Sequence, residues 1–172
     1  LARQLKQLAQ QQTVTLYTLF LTAFQILLHR YTGQPEIWIG TPASIARRDP
    51  QLANLVGYLA NTVVLRATID DPAHTSFNDL LSKNRETVRE AIEYSAYPFI
   101  LLVKTLQPKR DLGYSPLFQA SLDLKQADFL PRTIGDLTAS QLMFPQMEGQ
   151  FDVILGIMEG EQLECRIYYS SD

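Results

Sequence analysis

The sequence predicts a mixed α/β layer in which helices lie on a β-sheet, and three observations carry that expectation. Two apolar stretches with helical spacing open the chain, and a second helical pair begins near Ser76. Short alternating runs, separated by Gly, Pro and acidic turns, follow each pair. Helix, helix, strand, strand, helix, helix and then several strands is an order that stacks helices on a sheet. With 172 residues, 46% of them hydrophobic and 19% charged, the chain suits one soluble domain or a tightly coupled part of one.

Leu5 and Leu8 make residues 2–11 a short amphipathic helix. Residues 15–31 carry Leu16, Leu19, Phe20, Ala23, Phe24, Ile26, Leu27 and Tyr31, so this second helix reads as apolar around most of its circumference and largely buried. Gly33 and Pro35 stop it. "EIWIGTP" is a short strand ended by Gly40 and Pro42, and "ASIARRDPQL" is a polar, mobile connection. In the next strand Leu59, Asn61, Val63, Leu65, Ala67 and Ile69 share a face. Asp70, Asp71 and Pro72 end it.

From Ser76 the spacing of Phe77, Leu80, Leu81, Val88 and Ile92 is helical, with Ser76 and Asp79 placed as a capping box. "PFILLVKTL" is a further short helix that starts on its proline. Beyond Pro116 strands are expected at Leu117–Leu124, 137–144, 151–158 and 162–169.

The net charge of −3 and the scattered Lys and Arg give no footprint for nucleic acid. No apolar run reaches the roughly 20 residues of a spanning helix, so no membrane is expected. The opening "LARQLKQLAQQQ" has neither a Met nor a signal-peptide pattern, and it reads, like the abrupt ending "YYSSD", as part of something longer. A single cysteine, Cys165, builds neither a disulfide framework nor a Cys-based metal site, which fits a reducing, cytoplasmic setting.

Self-contained chemistry is hard to find. His29 and His74 stand 45 residues apart with no metal-ligand spacing around them; His29 suits the negative end of a helix dipole and His74 a solvated turn. There is no G-x-S-x-G, H-E-x-x-H or phosphate loop, and Asp49, Asp70 and Asp71 read as turn residues. Two features stand apart. Gly57 and Tyr58 precede Asn61 and Thr62 at the head of a strand, where an inward amide binds either a neighbouring loop or a ligand. The second is "RDLGYSPLFQASLDL", in which Arg110 and Asp111 read as an ion pair pinning a turn before Pro116.

In order, "LFLTAFQILLHRYTGQPEIWIGTP", "VGYLANTVVLR", "YPFILLVKTLQPKRDLGYSPLFQASLDL" and "FDVILGIMEGEQLECRIYYSSD" resemble the condensation domains of nonribosomal peptide synthetases across nearly the whole chain. The resemblance implies a chloramphenicol acetyltransferase-like lobe of the α/β (α+β) class, a mixed sheet with helices packed on one face. Two such lobes form a V around a tunnel that phosphopantetheine-tethered substrates enter from opposite sides. The catalytic H-H-x-x-x-D-G motif of that family belongs to the amino-terminal lobe, and no His pair occurs here. Residues 1–172 therefore correspond to the carboxy-terminal subdomain, with no catalytic residue, no metal and no directly bound cofactor. Its implied partners are the amino-terminal lobe, upstream and downstream carrier proteins bearing phosphopantetheine, and an adjacent adenylation domain.

By the same resemblance Gly57, Tyr58, Asn61 and Thr62 lie beside the tunnel and hold the pantetheine arm or the acyl group. Arg110, Asp111, Pro116, Leu117 and Phe118 form a chiefly architectural motif. Residues Thr41–Arg48 match a loop flooring the tunnel, and about Lys125 to Met147 a latch crossing to the other lobe. The chain departs from the family wording at Ala96, Ile100 and Gly113–Tyr114, which leans toward members that follow a polyketide module or accept an acyl starter. A lobe of an epimerisation or heterocyclisation domain, or a non-catalytic carrier-binding module, are the alternatives.

Overall fold

The computed structural model describes residues 1–44, 50–52, 54–108, 114–126, 133–138, 151–160 and 162–170. Helix α1 (Ala2–Gln11) leads into α2 (Leu16–Thr32), which starts where the Thr15 hydroxyl accepts the Thr18 backbone N–H at 3.1 Å. It ends at Gly33, whose φ of 68° is the left-handed cap that glycine adopts at least cost. His29 lies in that last turn, its Nδ1 2.7 Å from the Gln34 carbonyl.

Helix α2 differs from its expected all-apolar character. Its buried side includes Thr18, Thr22 and Gln25, whereas Leu27 and Tyr31 are exposed. Thr22 and Gln25 are buried because they meet an amide from α3 (Phe77–Glu93): Asn84 Nδ2 donates to Thr22 Oγ1 at 2.9 Å and to Gln25 Oε1 at 2.7 Å. Gln25 Nε2 donates onward to the Leu65 carbonyl at 3.4 Å. A buried network of this kind is tolerated because its members satisfy one another.

Helix α3 carries the expected capping box, with Ser76 Oγ accepting from the Asp79 N–H and Asp79 Oδ2 accepting from the Ser76 N–H, both at 3.2 Å. Helix α4 (Phe99–Leu106) has Pro98 as its N-cap rather than its first residue. None of the described helices is long and apolar enough to cross a membrane.

The main sheet contains β1 (Glu36–Ser44), β2 (Ala60–Thr68), β3 (Ala120–Gln126), β6 (Val153–Glu159) and β7 (Leu163–Tyr169), in the spatial order β2-β1-β3-β6-β7. β1 pairs antiparallel with β2, β3 is parallel to both β1 and β6, and β7 returns antiparallel to β6. A separate two-stranded hairpin pairs β4 (Thr133–Ile134) with β5 (Leu137–Thr138). Of the strand expected at 137–144, only this part lies within the described residues. β3 starts three residues later than its sequence pattern suggests, because Phe118 is folded over the sheet and pairing begins only where Ala120 meets Ile39.

Helices α2 and α3 pack against one face of the sheet. Leu21 and Phe24 of α2 and Val88 of α3 meet Ile37, Ile39, Leu65, Ala120, Leu122 and Ile157 there. An ion pair of 2.8 Å between Lys6 and Glu159 links α1 to β6. The Tyr17 hydroxyl is buried on this side without a hydrogen-bond partner among the described residues, Thr41 beside it donating instead to the Leu122 carbonyl at 2.8 Å. Burial raises the Tyr17 phenol well above its ordinary range, so it stays protonated at neutral pH.

On the opposite face Gly40 lies under Phe118. A Cβ at Gly40 would sit 2.0 Å from the Phe118 ring, so the glycine is required by the packing rather than by its backbone angles. Gly40→Ala is expected to destabilise the fold by about 1–3 kcal/mol, the usual cost of forcing extra volume into a packed site, in urea unfolding followed by circular dichroism. An unchanged midpoint would show that Phe118 moves aside freely.

Candidate functional site

Because α2 and α3 share one face, the residues of opposite parity line the other. Gly40 and Pro42 of β1, Thr62 of β2, Ser121, Asp123 and Lys125 of β3, Ile154, Gly156 and Met158 of β6, and Glu164, Arg166 and Tyr168 of β7 border an open cleft of about 490 Å³. Tyr58 and Phe118 close its upper end together with Phe151. The volume lies within the range of small-molecule sites.

Aromatic packing forms the cleft's buried wall. Phe118, 1% exposed, stacks at a tilt on Phe151 with ring centroids 4.8 Å apart and on Phe99 at 5.8 Å. Ser121 Oγ donates to the Gly40 carbonyl at 3.1 Å, which ties β3 to β1 beneath the ring. Charged groups form the other wall. Asp123 pairs with Lys125 at 2.8 Å along β3, and Glu164 with Arg166 at 2.8 Å along β7. The Tyr168 side chain first, and the Glu164 carboxylate second, hold the Arg166 guanidinium above its ordinary range, so it stays a fixed cation.

The expected site residues divide between the two faces. Thr62 and Tyr58 border the cleft, and Tyr58, at 91% exposure, projects from its rim. Gly57 is exposed just before it, with nothing of the described chain within 4 Å of where a Cβ would be. Asn61 shares the helix-side parity of Leu65 and Ala67, and of its two open partners the structure shows the loop. Its Nδ2 donates to the Ser95 carbonyl at 2.9 Å and to the Tyr97 carbonyl at 2.6 Å, and its Oδ1 accepts the Phe99 N–H at 3.1 Å. Both amide protons are thus used, and the 95–99 turn is fastened to the head of β2. Phe118 is buried, Leu117 half-buried and Pro116 exposed, while Arg110 and Asp111 lie outside the described residues. So do residues 45–48 of the expected floor loop and 127–132 and 139–147 of the expected latch.

Sequence reasoning missed Gly40, Ser121, Asp123, Gly156 and Arg166, because only the strand order brings β1, β3, β6 and β7 to one cleft. The alternation of β6 and β7 was the one signal to follow, and it does not say which strand lies beside which. Neither histidine borders the cleft, and His74 is held in its turn by Asp71 at 2.7 Å. Among the described residues no cluster of His, Cys, Asp and Glu is arranged to hold a metal ion. Partial burial pushes the Cys165 thiol up, away from thiolate chemistry.

Comparison with known proteins gives this helix-backed sheet and its open cleft a family. The chain belongs to the condensation-domain family, whose model matches residues 1–172. It is 33% identical over 172 residues to bacitracin synthase 1 of Bacillus licheniformis, covering 99% of this chain and 3% of that protein. It is 35% identical over 171 residues to gramicidin S synthase 2 of Brevibacillus brevis, covering 99% of this chain and 4% of that protein.

Among solved structures, a holo four-domain nonribosomal peptide synthetase superposes with a TM-score of 0.78 at 26% identity, covering 92% of this chain and 13% of that one. The condensation domain of the Monacolin K polyketide synthase gives a TM-score of 0.79 at 24% identity, with coverages of 96% and 38%. The X-domain from teicoplanin biosynthesis, solved in complex with OxyB, gives 0.82 at 20%, with coverages of 98% and 37%. The last two likenesses are of fold: the mixed, helix-backed sheet is shared with that condensation domain and that X-domain. The chain spans only 3% and 4% of the two synthases it matches.

Replacing Asn61 by Ala is expected to leave the Ser95 and Tyr97 carbonyls and the Phe99 N–H without their side-chain partner. A loss of about 1–3 kcal/mol should follow in urea unfolding. An unchanged midpoint would show that the 95–99 turn holds itself.

Proposed function

We propose that this chain is the carboxy-terminal half of a nonribosomal peptide synthetase condensation domain and forms one wall of the tunnel in which an amide bond is made. The observation that carries the reading is the second sheet face: α2 and α3 back the first, and among the described residues a concave cleft bordered by all five strands of the main sheet stands open on the second. Its family membership over residues 1–172 supports the same reading.

In the intact domain a carrier-bound amine attacks the carbonyl carbon of a carrier-bound acyl thioester. The C–N bond forms, the C–S bond breaks, and the donor carrier leaves as its free phosphopantetheine thiol. The proton lost by the amine goes to a base outside this chain, since no histidine stands at the cleft. Tyr58 and Thr62 line the path of the pantetheine arm or acyl group, with Gly57 leaving it room, and Asn61 acts through the turn it fastens. Phe118, with Leu117 and Pro116, shapes the wall. Carrier proteins, the amino-terminal half and an adjacent adenylation domain are the partners. A second reading, a recruiting module without turnover, draws on the X-domain neighbour solved in complex with OxyB.

Residues 1–172 supplied with an acyl-loaded donor carrier and an aminoacyl-loaded acceptor carrier should give no amide product by mass spectrometry. The domain that also contains the amino-terminal half should give it. Product from residues 1–172 alone contradicts the assignment of the base to the other half. Carrier binding without product from the two-half domain favours the recruiting module.

A further inference from the structure

Two glycines lie in the strands bordering the cleft, and the chain itself accounts for only one. Gly40 is required because the Phe118 ring occupies the space of a side chain. Gly156 stands in the middle of β6, a strand paired on both sides, where glycine weakens the sheet and offers nothing to pack. A Cβ there would meet only the edge of the Tyr168 ring at 3.4 Å and the Arg166 carbonyl at 3.8 Å, both ordinary contacts. Its φ is not in the left-handed region, so the backbone does not demand glycine either. A paired interior strand with a missing side chain, on the open face, is a mark of close approach by something outside the chain.

The neighbours of Gly156 give the gap its chemistry. Its cross-strand partners are Asp123 on β3 and Arg166 on β7, each one strand spacing away and so about 10 Å from each other. Ile154 and Met158 flank it along β6 with the same parity. The result is a notch with an apolar floor along the strand, a charged group on either side and the edge of the Tyr168 ring at its rim. Such a notch receives an apolar group while its charged walls stay paired with Lys125 and Glu164.

We propose that Gly156 is a specificity-determining residue: the notch it opens admits the apolar side chain or acyl chain of a carrier-borne thioester, and its depth sets the largest group accepted. The proposal rests on the amide-forming reading above and extends it to substrate size. It assigns no chemical step to Gly156, which acts only by leaving room.

The test uses the intact condensation domain carrying Gly156→Ala or Gly156→Val, with kcat/KM for amide formation measured in two arms. In one arm the acceptor carrier bears glycine, alanine, leucine or phenylalanine against a fixed donor; in the other the donor acyl group is varied from acetyl to octanoyl against glycine. The valine variant should lose tenfold or more against the largest groups of one arm while keeping the smallest, a discrimination of the size that apolar pockets give per methylene or two. The arm affected identifies whether the group is the acceptor's or the donor's. The alanine variant should lie between, with a urea midpoint no lower than the parent's. Equal loss across both series, or none, overturns the inference while the parent's turnover leaves the amide-forming reading standing. A parent domain that makes no amide with any pair overturns both.

Discussion

The placement of the Phe118 ring over Gly40 is the constraint on which the open face depends. Phe118 precedes β3, Phe99 opens α4 and Phe151 precedes β6, so three distant segments converge on one point above the centre of β1. Only a residue without a side chain at position 40 lets that ring lie so close to the strand. Asn61 reaches the same place from the other side of β2, since it accepts the Phe99 N–H and so fixes the start of α4. The two ties meet at Phe99, one through its ring and one through its backbone, and together they set where the cleft ends.

The two faces of the sheet are held by different physics. On the helix side burial of Leu, Ile and Phe supplies the driving force, and the polar cluster of Thr22, Gln25 and Asn84 is closed on itself and on the Leu65 carbonyl. On the open side the charged groups bordering the cleft form pairs within a strand, Asp123 with Lys125 and Glu164 with Arg166. Pairs as exposed as these contribute little to stability. Their role is better described as positioning, because each keeps a long side chain along the edge of the notch instead of across it.

Much of this architecture was legible in the sequence, for reasons that can be named. The helices followed from apolar spacing and from caps such as Ser76 with Asp79, since these signals depend on residues three or four apart. The face of Asn61 followed from strand alternation, which is equally local. Its partner did not, because Ser95, Tyr97 and Phe99 lie more than thirty residues on and reach it only through the return of α3. The polar side of α2 was misread for the same reason: Thr22 and Gln25 are buried only because Asn84 arrives to meet them. Least legible was the cleft, since β3 enters between β1 and β6 and nothing in a single sequence fixes that order. The condensation-domain resemblance supplied a lobe beside a tunnel, whereas Gly156 carried no meaning until β6 was placed between Asp123 and Arg166.

The proposed function requires substrate to pass along the open face and to leave the helix-backed face untouched. It is tested most directly by cysteine labelling in the intact domain, with Thr62→Cys marking the cleft and the native Cys165, opposite Ile157 and so of helix-side parity, marking the other face. Alkylation by iodoacetamide is followed with and without saturating acyl-loaded donor carrier and aminoacyl-loaded acceptor carrier. The account predicts that loaded carriers slow labelling at position 62 severalfold and leave Cys165 unchanged. Equal labelling of position 62 in both conditions, or protection confined to Cys165, would contradict it.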